Sequence, residues 1–266
     1  MPPWRAAAAA ALLLAVPPAC RAADPAAAPA REDASAPAAS AARSPGALPL
    51  LGLSTTLPIY WSESGGIAQT LASPAPPHFA RTELEQAWRL QPLDTLDAAS
   101  LAPLRFLLLA QPRALTGEEN VALDAWVRGG GRLLLLADPW LTGHSEFGIG
   151  DPRRPQDVAL LSPILARWGL ELTFAEEDST EERWLETPAG PLPVELAGQW
   201  RLVPTEADAP ASCRLAADAV LAECTIGRGR ATILADAALV DGERGDERRA
   251  AALRAVARRA FAGETR

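Results

Sequence analysis

Two uninterrupted apolar runs, Arg105-Phe106-Leu107-Leu108-Leu109-Ala110 and Arg132-Leu133-Leu134-Leu135-Leu136-Ala137, constrain this chain more than any other feature. Each is short and ends at a breaker, Gln111-Pro112 and Asp138-Pro139. Short runs of this kind are strands buried on both faces, as inside a parallel sheet. Between them lies a segment with helix signals at both ends. Thr116 with Glu119 three residues on forms a capping box, Val121, Leu123, Ala125, Trp126 and Val127 supply apolar surface, and Gly129-Gly130-Gly131 terminates it. Strand, helix, strand at this spacing is a βαβ unit, so the two strands are expected to be parallel with a right-handed crossover.

The flanking segments extend that pattern. Leu50–Thr56 reads as a first strand, His78–Trp88 as a helix and Arg89–Leu93 as a short strand. After a long loop over Trp140–Gln156, Asp157–Trp168 has helical spacing; Pro163 allows a later start at Ser162, with the proline at the first helical position. Leu170–Phe174 and Ala231–Ala235 read as further strands, and Gly245–Phe261 as a closing amphipathic helix. From Glu182 to Glu206 short alternating segments broken by Pro and Gly suggest antiparallel strands. The expected fold is therefore α/β: a three-layer, flavodoxin-like sandwich with a mostly parallel sheet and a β-rich insertion at about 182–226. It occupies residues 49–263 as a single domain.

The N-terminal part reads differently. Arg5 precedes the apolar run Ala6–Val16, and small residues follow, the layout of a signal segment over residues 1–23. The run is too short to span a bilayer. Cys20 occupies the place of an acylated lipoprotein cysteine, while Pro17 and Pro18 depart from a lipobox; cleavage after Ala22 or Ala23 is the competing reading. Residues 24–48, rich in Ala and Pro without aromatic or β-branched residues, are expected to form a disordered tether. The protein is thus expected to be exported in a bacterium, either periplasmic or tethered by lipid, with no membrane contact except through such an anchor. Cys213 and Cys224 flank a turn between two strand-like segments. An oxidising compartment would let them close a cross-strand disulfide; two buried thiols are the alternative.

Charge narrows the partners. The net charge is −8, which repels phosphate backbones, so nucleic acid is not expected, and Arg153-Arg154 and Arg248-Arg249 are too short to reverse that. Ligands of open α/β sheets bind beyond the carboxyl ends of the strands. That rule selects Asp138, His144, Asp151 and Asp236 as polar candidates, and Trp61 and Trp140 as aromatic ones for ligand or partner contact. Trp126 and Trp168 fall on apolar helix faces and read as core. The acids can alternatively cap helices or accept loop amides. No catalytic set emerges. Gly143-His144-Ser145-Glu146-Phe147 lacks the second glycine of a nucleophile elbow. Two histidines, His78 and His144, exclude a His-rich metal site, and the glycine pairs precede strands rather than follow them, so neither metal nor cofactor is expected.

Three stretches together carry a family resemblance. They are Leu107–Ala110 with Leu115–Glu119 and Leu123–Pro139, then Leu160–Leu170, then Gly227–Ala237. The arrangement resembles the core of the gliding-motility-type auxiliary proteins of ABC transporters, whose fold is similar to class I glutamine amidotransferases. The resemblance covers about 105–240 and implies an amidotransferase-like fold with membrane transporter subunits as partners. It does not imply amidotransferase activity, because no Cys stands at a strand–helix elbow. The expectation is a non-enzymatic extracytoplasmic accessory domain that binds a partner or small ligand at the strand ends. The alternatives are a hydrolase pairing Asp138 or Asp236 with His144, and an envelope glycan binder using Trp61 and Trp140.

Overall fold

A strand that is apolar on both faces has to be sandwiched, and the two cores show how. The computed structural model describes residues 48–61, 63, 76–174, 181–205, 211–242 and 245–262. Its first half contains β1 (Leu50–Thr55), α1 (Phe79–Glu85), β2 (Arg89–Pro92), α2 (Ala98–Leu101), β3 (Phe106–Ala110), α3 (Gly117–Arg128) and β4 (Arg132–Leu136). Then come α4 (Ser162–Arg167), β5 (Leu170–Thr173), β6 (Arg183–Thr187), β7 (Gly190–Val194) and β8 (Gln199–Leu202). The last elements are β9 (Ser212–Ala216), β10 (Leu221–Ile226), β11 (Gly229–Leu234) and α5 (Glu247–Phe261). The signal segment, the tether up to residue 47 and Cys20 lie outside the described residues. Among these residues no helix is long and apolar enough to cross a membrane.

Seven strands form one sheet in the order β2-β1-β3-β4-β11-β10-β9. The first five are parallel, and β10 and β9 close one side antiparallel. Alternate residues of β3 and β4 point to opposite faces. Leu108, Leu134 and Leu136 pack with α1 and α5, on Leu84, Leu253, Val256 and Phe261. Leu107, Leu109, Leu133 and Leu135 pack with α3 and α4, on Leu123, Val127, Ile164 and Leu165. The leucine runs are continuous because each face of the sheet has its own core.

The capping box is present in full: the Thr116 side chain accepts from the Glu119 amide at 3.2 Å, and Glu119 Oε2 accepts from the Thr116 amide at 2.9 Å. Glu119 Oε1 also takes the Leu96 amide at 3.0 Å and Arg113 at 2.6 Å, which holds its carboxyl down at about 2. Asp124 performs the same service between helices, accepting from Arg128, Arg167 and the Trp168 indole. Trp168 is accordingly core, and Trp126 packs against the same core with its indole donating to Leu104 O.

Two features differ from the pattern in the sequence, and a third follows its alternative. The helix read over 157–168 takes the later of its two expected starts, at Ser162 with Pro163 in its first turn, because residues before it are held as loop by Leu141 N to Asp157 O and Ala159 N to Asp138 O. The strand after it, β5, leaves the main sheet and pairs antiparallel with β8. Within the β-rich stretch, β6 and β7 form a separate hairpin, while β9 and β10 extend the main sheet. Cys213 faces Cys224 across β9 and β10 with their Cα atoms 4.0 Å apart, and the two are joined by a disulfide. The hairpin turns through Ala217, Asp218 and Ala219, all left-handed.

Closing that loop restricts the unfolded chain, so the bond should be worth about 3 kcal/mol. A Cys213→Ser, Cys224→Ser double variant is expected to lose that much in urea unfolding; an unchanged midpoint would show the staple to be energetically idle.

Candidate functional site

The carboxyl ends of β1, β3, β4 and β11 converge on a set of polar groups. Gln111 follows β3 directly, has a φ of 43° and is fully buried. Its side chain brackets the main chain of the next strand end: Oε1 accepts from Asp138 N at 2.8 Å, while Nε2 donates to Asp138 O at 3.2 Å and Gln156 O at 2.8 Å. Its own carbonyl accepts from Thr56 N and Oγ1. A left-handed, non-glycine residue costs energy and persists only where its surroundings hold it; five hydrogen bonds to three residues do so here.

Asp138 and Asp236 stand at the ends of β4 and β11, each 2% exposed. Asp138 Oδ1 accepts from Trp140 N at 2.8 Å and Oδ2 from Ala237 N at 3.0 Å. Asp236 Oδ1 accepts from Ala238 N at 2.6 Å and Oδ2 from Glu195 N at 2.8 Å. All four oxygens thus serve main-chain amides. Burial nevertheless pushes the Asp138 carboxyl up to about 6, against its two amides and helped by the charges of Asp241 and Glu195. Burial and the neighbouring Asp138 raise Asp236 well above the usual carboxylate range.

Outside this buried layer lies an open cleft of two abutting cavities that share Pro58 and Glu63. One, of about 400 Å³, is walled by Tyr60, Trp61, Phe147, Arg153 and Arg154. The other, of about 450 Å³, is walled by Leu141, Gly143, His144, Glu146 and Asp241. Glu63 fastens their shared rim, accepting from Ser145 Oγ at 2.9 Å and Glu146 N at 2.7 Å. Trp61 is 72% exposed, edge-on to Tyr60 at 4.8 Å, and the Arg81 guanidinium lies 4.2 Å from the Tyr60 ring centre. Arg153 sits over Phe147 at 4.2 Å and pairs with Asp151 at 2.7 Å. Asp151 thereby anchors an arginine of the wall.

The structure brings His144 and Trp61 to one cleft, keeps Asp138 and Asp236 beneath it, and sets Trp140 apart. Trp140 is 57% exposed, stacks on Phe174 at 6.3 Å and lines neither cavity. The carboxylate that reaches the cleft beside His144 is Asp241, which the sequence did not single out although it lies within the strand-end loop 236–242. Burial pushes Asp241 up to about 6, opposed by the Gly143 amide and reinforced by the charge of Glu195. Gly143 leaves room for it: a Cβ there would fall 2.0 Å from Asp241 Oδ1, and the carboxyl would have to move. Among the described residues no three His, Cys, Asp or Glu side chains are placed to hold a metal ion.

These raised carboxyls bind protons in the folded state that the unfolded chain has released near pH 4. Their contribution to stability is full below pH 4 and is lost as the pH rises through about 6, on the order of 3 kcal/mol for Asp241. Melting temperature should therefore fall from pH 5 to pH 7.5, and Asp241→Asn should flatten that slope. Gly143→Ala, by driving the carboxyl into water, should flatten it too; a slope identical in all three proteins would refute the assignment.

Comparison with known proteins gives a fold and a family. The chain is similar to the "mmIFT52 N-terminal domain" at 14% identity, covering 82% of this chain and 99% of that one with a TM-score of 0.50, a likeness that concerns the fold alone. Two weaker likenesses support no inference. One is a cytoplasmic protein of Salmonella typhimurium, at 11% identity, 80% and 99% coverage and a TM-score of 0.43. The other is a beta-galactosidase of Rahnella sp. R3, at 13% identity, 80% and 31% coverage and a TM-score of 0.44. No curated protein matches in sequence. A family model described as a domain of unknown function, DUF4350, matches residues 82–256, about two thirds of the chain, and so takes in β3, β4, β11 and the buried acids at their ends: the chain belongs to the DUF4350 family.

Proposed function

We propose that this protein is a non-enzymatic binding domain that presents the strand-end cleft to a partner protein or small ligand outside the cytoplasm. One observation carries the reading: the acids at the strand ends spend all their oxygens on main-chain amides, while the exposed groups above them are the rings and guanidinium groups suited to contact. The fold on this reading is a three-layer sandwich of the flavodoxin and amidotransferase kind, supported by separate cores on the two sheet faces. In amidotransferases a cysteine occupies the strand–helix elbow. The left-handed residue between β3 and α3 here is Gln111, whose amide is consumed in holding Asp138, so that position offers no nucleophile. The Cys213–Cys224 bond supports an oxidising compartment. The domain would be held near membrane transporter subunits through lipid on Cys20, or released after Ala22 or Ala23.

Cross-linking in cell envelopes followed by mass spectrometry tests this. Transporter subunits should be recovered with the native protein. Exposed aromatic anchors typically carry about 2 kcal/mol of an interface, so Trp61→Ala should reduce recovery roughly 30-fold in affinity. Recovery that is absent, or indifferent to Trp61, removes the proposal.

A second reading rests on one specific observation. Asp241, which keeps its proton to about 6, and His144 line the same cavity, an acid and a base within one cleft. On this hydrolytic reading, turnover of ester or glycoside substrates would vanish in His144→Ala and in Asp241→Asn alike; turnover that survives both excludes it.

A further inference from the structure

A groove of about 710 Å³, larger than either cavity of the cleft, runs between the last turn of α5 and the strands β9, β10 and β11. It lies at the start of β11, near Arg230, whereas the cleft lies beyond the end of that strand. The origin is a change of residue type along one face. Where α5 covers the sheet, the facing pair is Leu221 and Leu234; farther along the same face the register continues with Glu223, Thr225, Arg214 and Arg230. The helix ends over this polar stretch and adds Arg258 and Arg259.

Among the described residues four guanidinium groups and one carboxylate line the groove, an arginine-rich recess in a chain whose net charge is −8. Arg259 already holds Glu223 with two hydrogen bonds of 2.6 and 3.0 Å. Arginines in the last turn of a helix answer the negative end of its dipole. That accounts for Arg258 and Arg259 but not for Arg214, which comes from a strand. Gathering like charges in one recess costs energy that an anion would return.

We propose that this groove binds a soluble, multiply charged oxyanion, a ligand carrying phosphate or pyrophosphate. Guanidinium groups meet phosphate oxygens in pairs of parallel hydrogen bonds, and the Thr225 hydroxyl adds a donor on the same wall. The net negative charge of the chain opposes approach to an extended anionic surface, whereas a small ligand inside the recess meets the local positive field. This site is separate from the strand-end cleft and does not depend on what that cleft binds.

The probe is sodium pyrophosphate, titrated calorimetrically into the full chain at low and at moderate salt. Saturable one-to-one binding is expected, weakened by salt and reduced roughly tenfold or more in an Arg214→Gln, Arg258→Gln double variant. Glu223→Gln, which frees Arg259, should tighten binding severalfold and so separates a lost site from a lost fold. No saturable binding to the native protein, or binding indifferent to both variants, overturns the proposal. Co-sedimentation with phosphatidylglycerol vesicles forms a second arm. If vesicles bind in a manner that the double variant abolishes while pyrophosphate does not bind, the occupant is a lipid surface and the proposal of a soluble ligand falls.

Discussion

Asp138 accepts the amide of Ala237 across the ends of two neighbouring parallel strands, and Asp236, one residue earlier on the second strand, reaches back to the amide of Glu195. Parallel strands that stop together leave amides pointing into the layer where the chain must turn away. Placing carboxylates there satisfies them strongly, since hydrogen bonds to a charged acceptor are worth more than neutral ones. The same solution confines two acids beneath the surface, where burial and mutual repulsion favour the protonated form. The amides favour the ionised form. The pair is thus drawn both ways, and its state bears on the segments its oxygens hold, at Trp140, Glu195, Ala237 and Ala238.

The long connection 137–161 shows the consequence. It has no helix or strand of its own, yet it is pinned at intervals: Gln156 N donates to Thr56 Oγ1 and its carbonyl accepts from Gln111, Ala159 N donates to Asp138 O, and Leu141 N to Asp157 O. Loops of this length without regular structure are usually functional, and this one supplies Gly143, His144, Phe147 and Arg153 to the cleft walls. Gly143 lets the loop settle against Asp241, so the cleft floor is a loop backbone resting on a carboxyl. A cleft built this way is positioned by the sheet through the main chain of its loop.

How much of this was legible depended on whether the determinant was local. The capping box at Thr116 and Glu119, the doubly buried leucine runs and the cysteine hairpin are written within a few residues each, and the structure contains all of them. Strand partnership is not local. Leu170–Thr173 has the composition of another buried strand, but β4 already has β11 as its second neighbour, so β5 pairs with β8 instead. Asp138 and Asp236 end strands, which leaves two readings open in the sequence, site residues or acceptors of loop amides; the three-dimensional register shows all four oxygens on amides. Asp241 escaped notice for the complementary reason: nothing in Val240-Asp241-Gly242 marks it until Gly143, nearly a hundred positions away, is brought against it.

The disulfide takes on its meaning at the other end of the sheet. Cys213 and Cys224 point to the face that packs on Trp168 and α4, opposite the arginine-lined groove. On the groove side the outer strands lose the cover of α5 and carry charge in place of leucine, so this corner gains less from apolar burial than the rest of the sheet. A covalent link between β9 and β10 holds them in register without requiring their exposed face to be apolar. The groove can therefore keep its charged lining because the strands beneath it are stapled from behind.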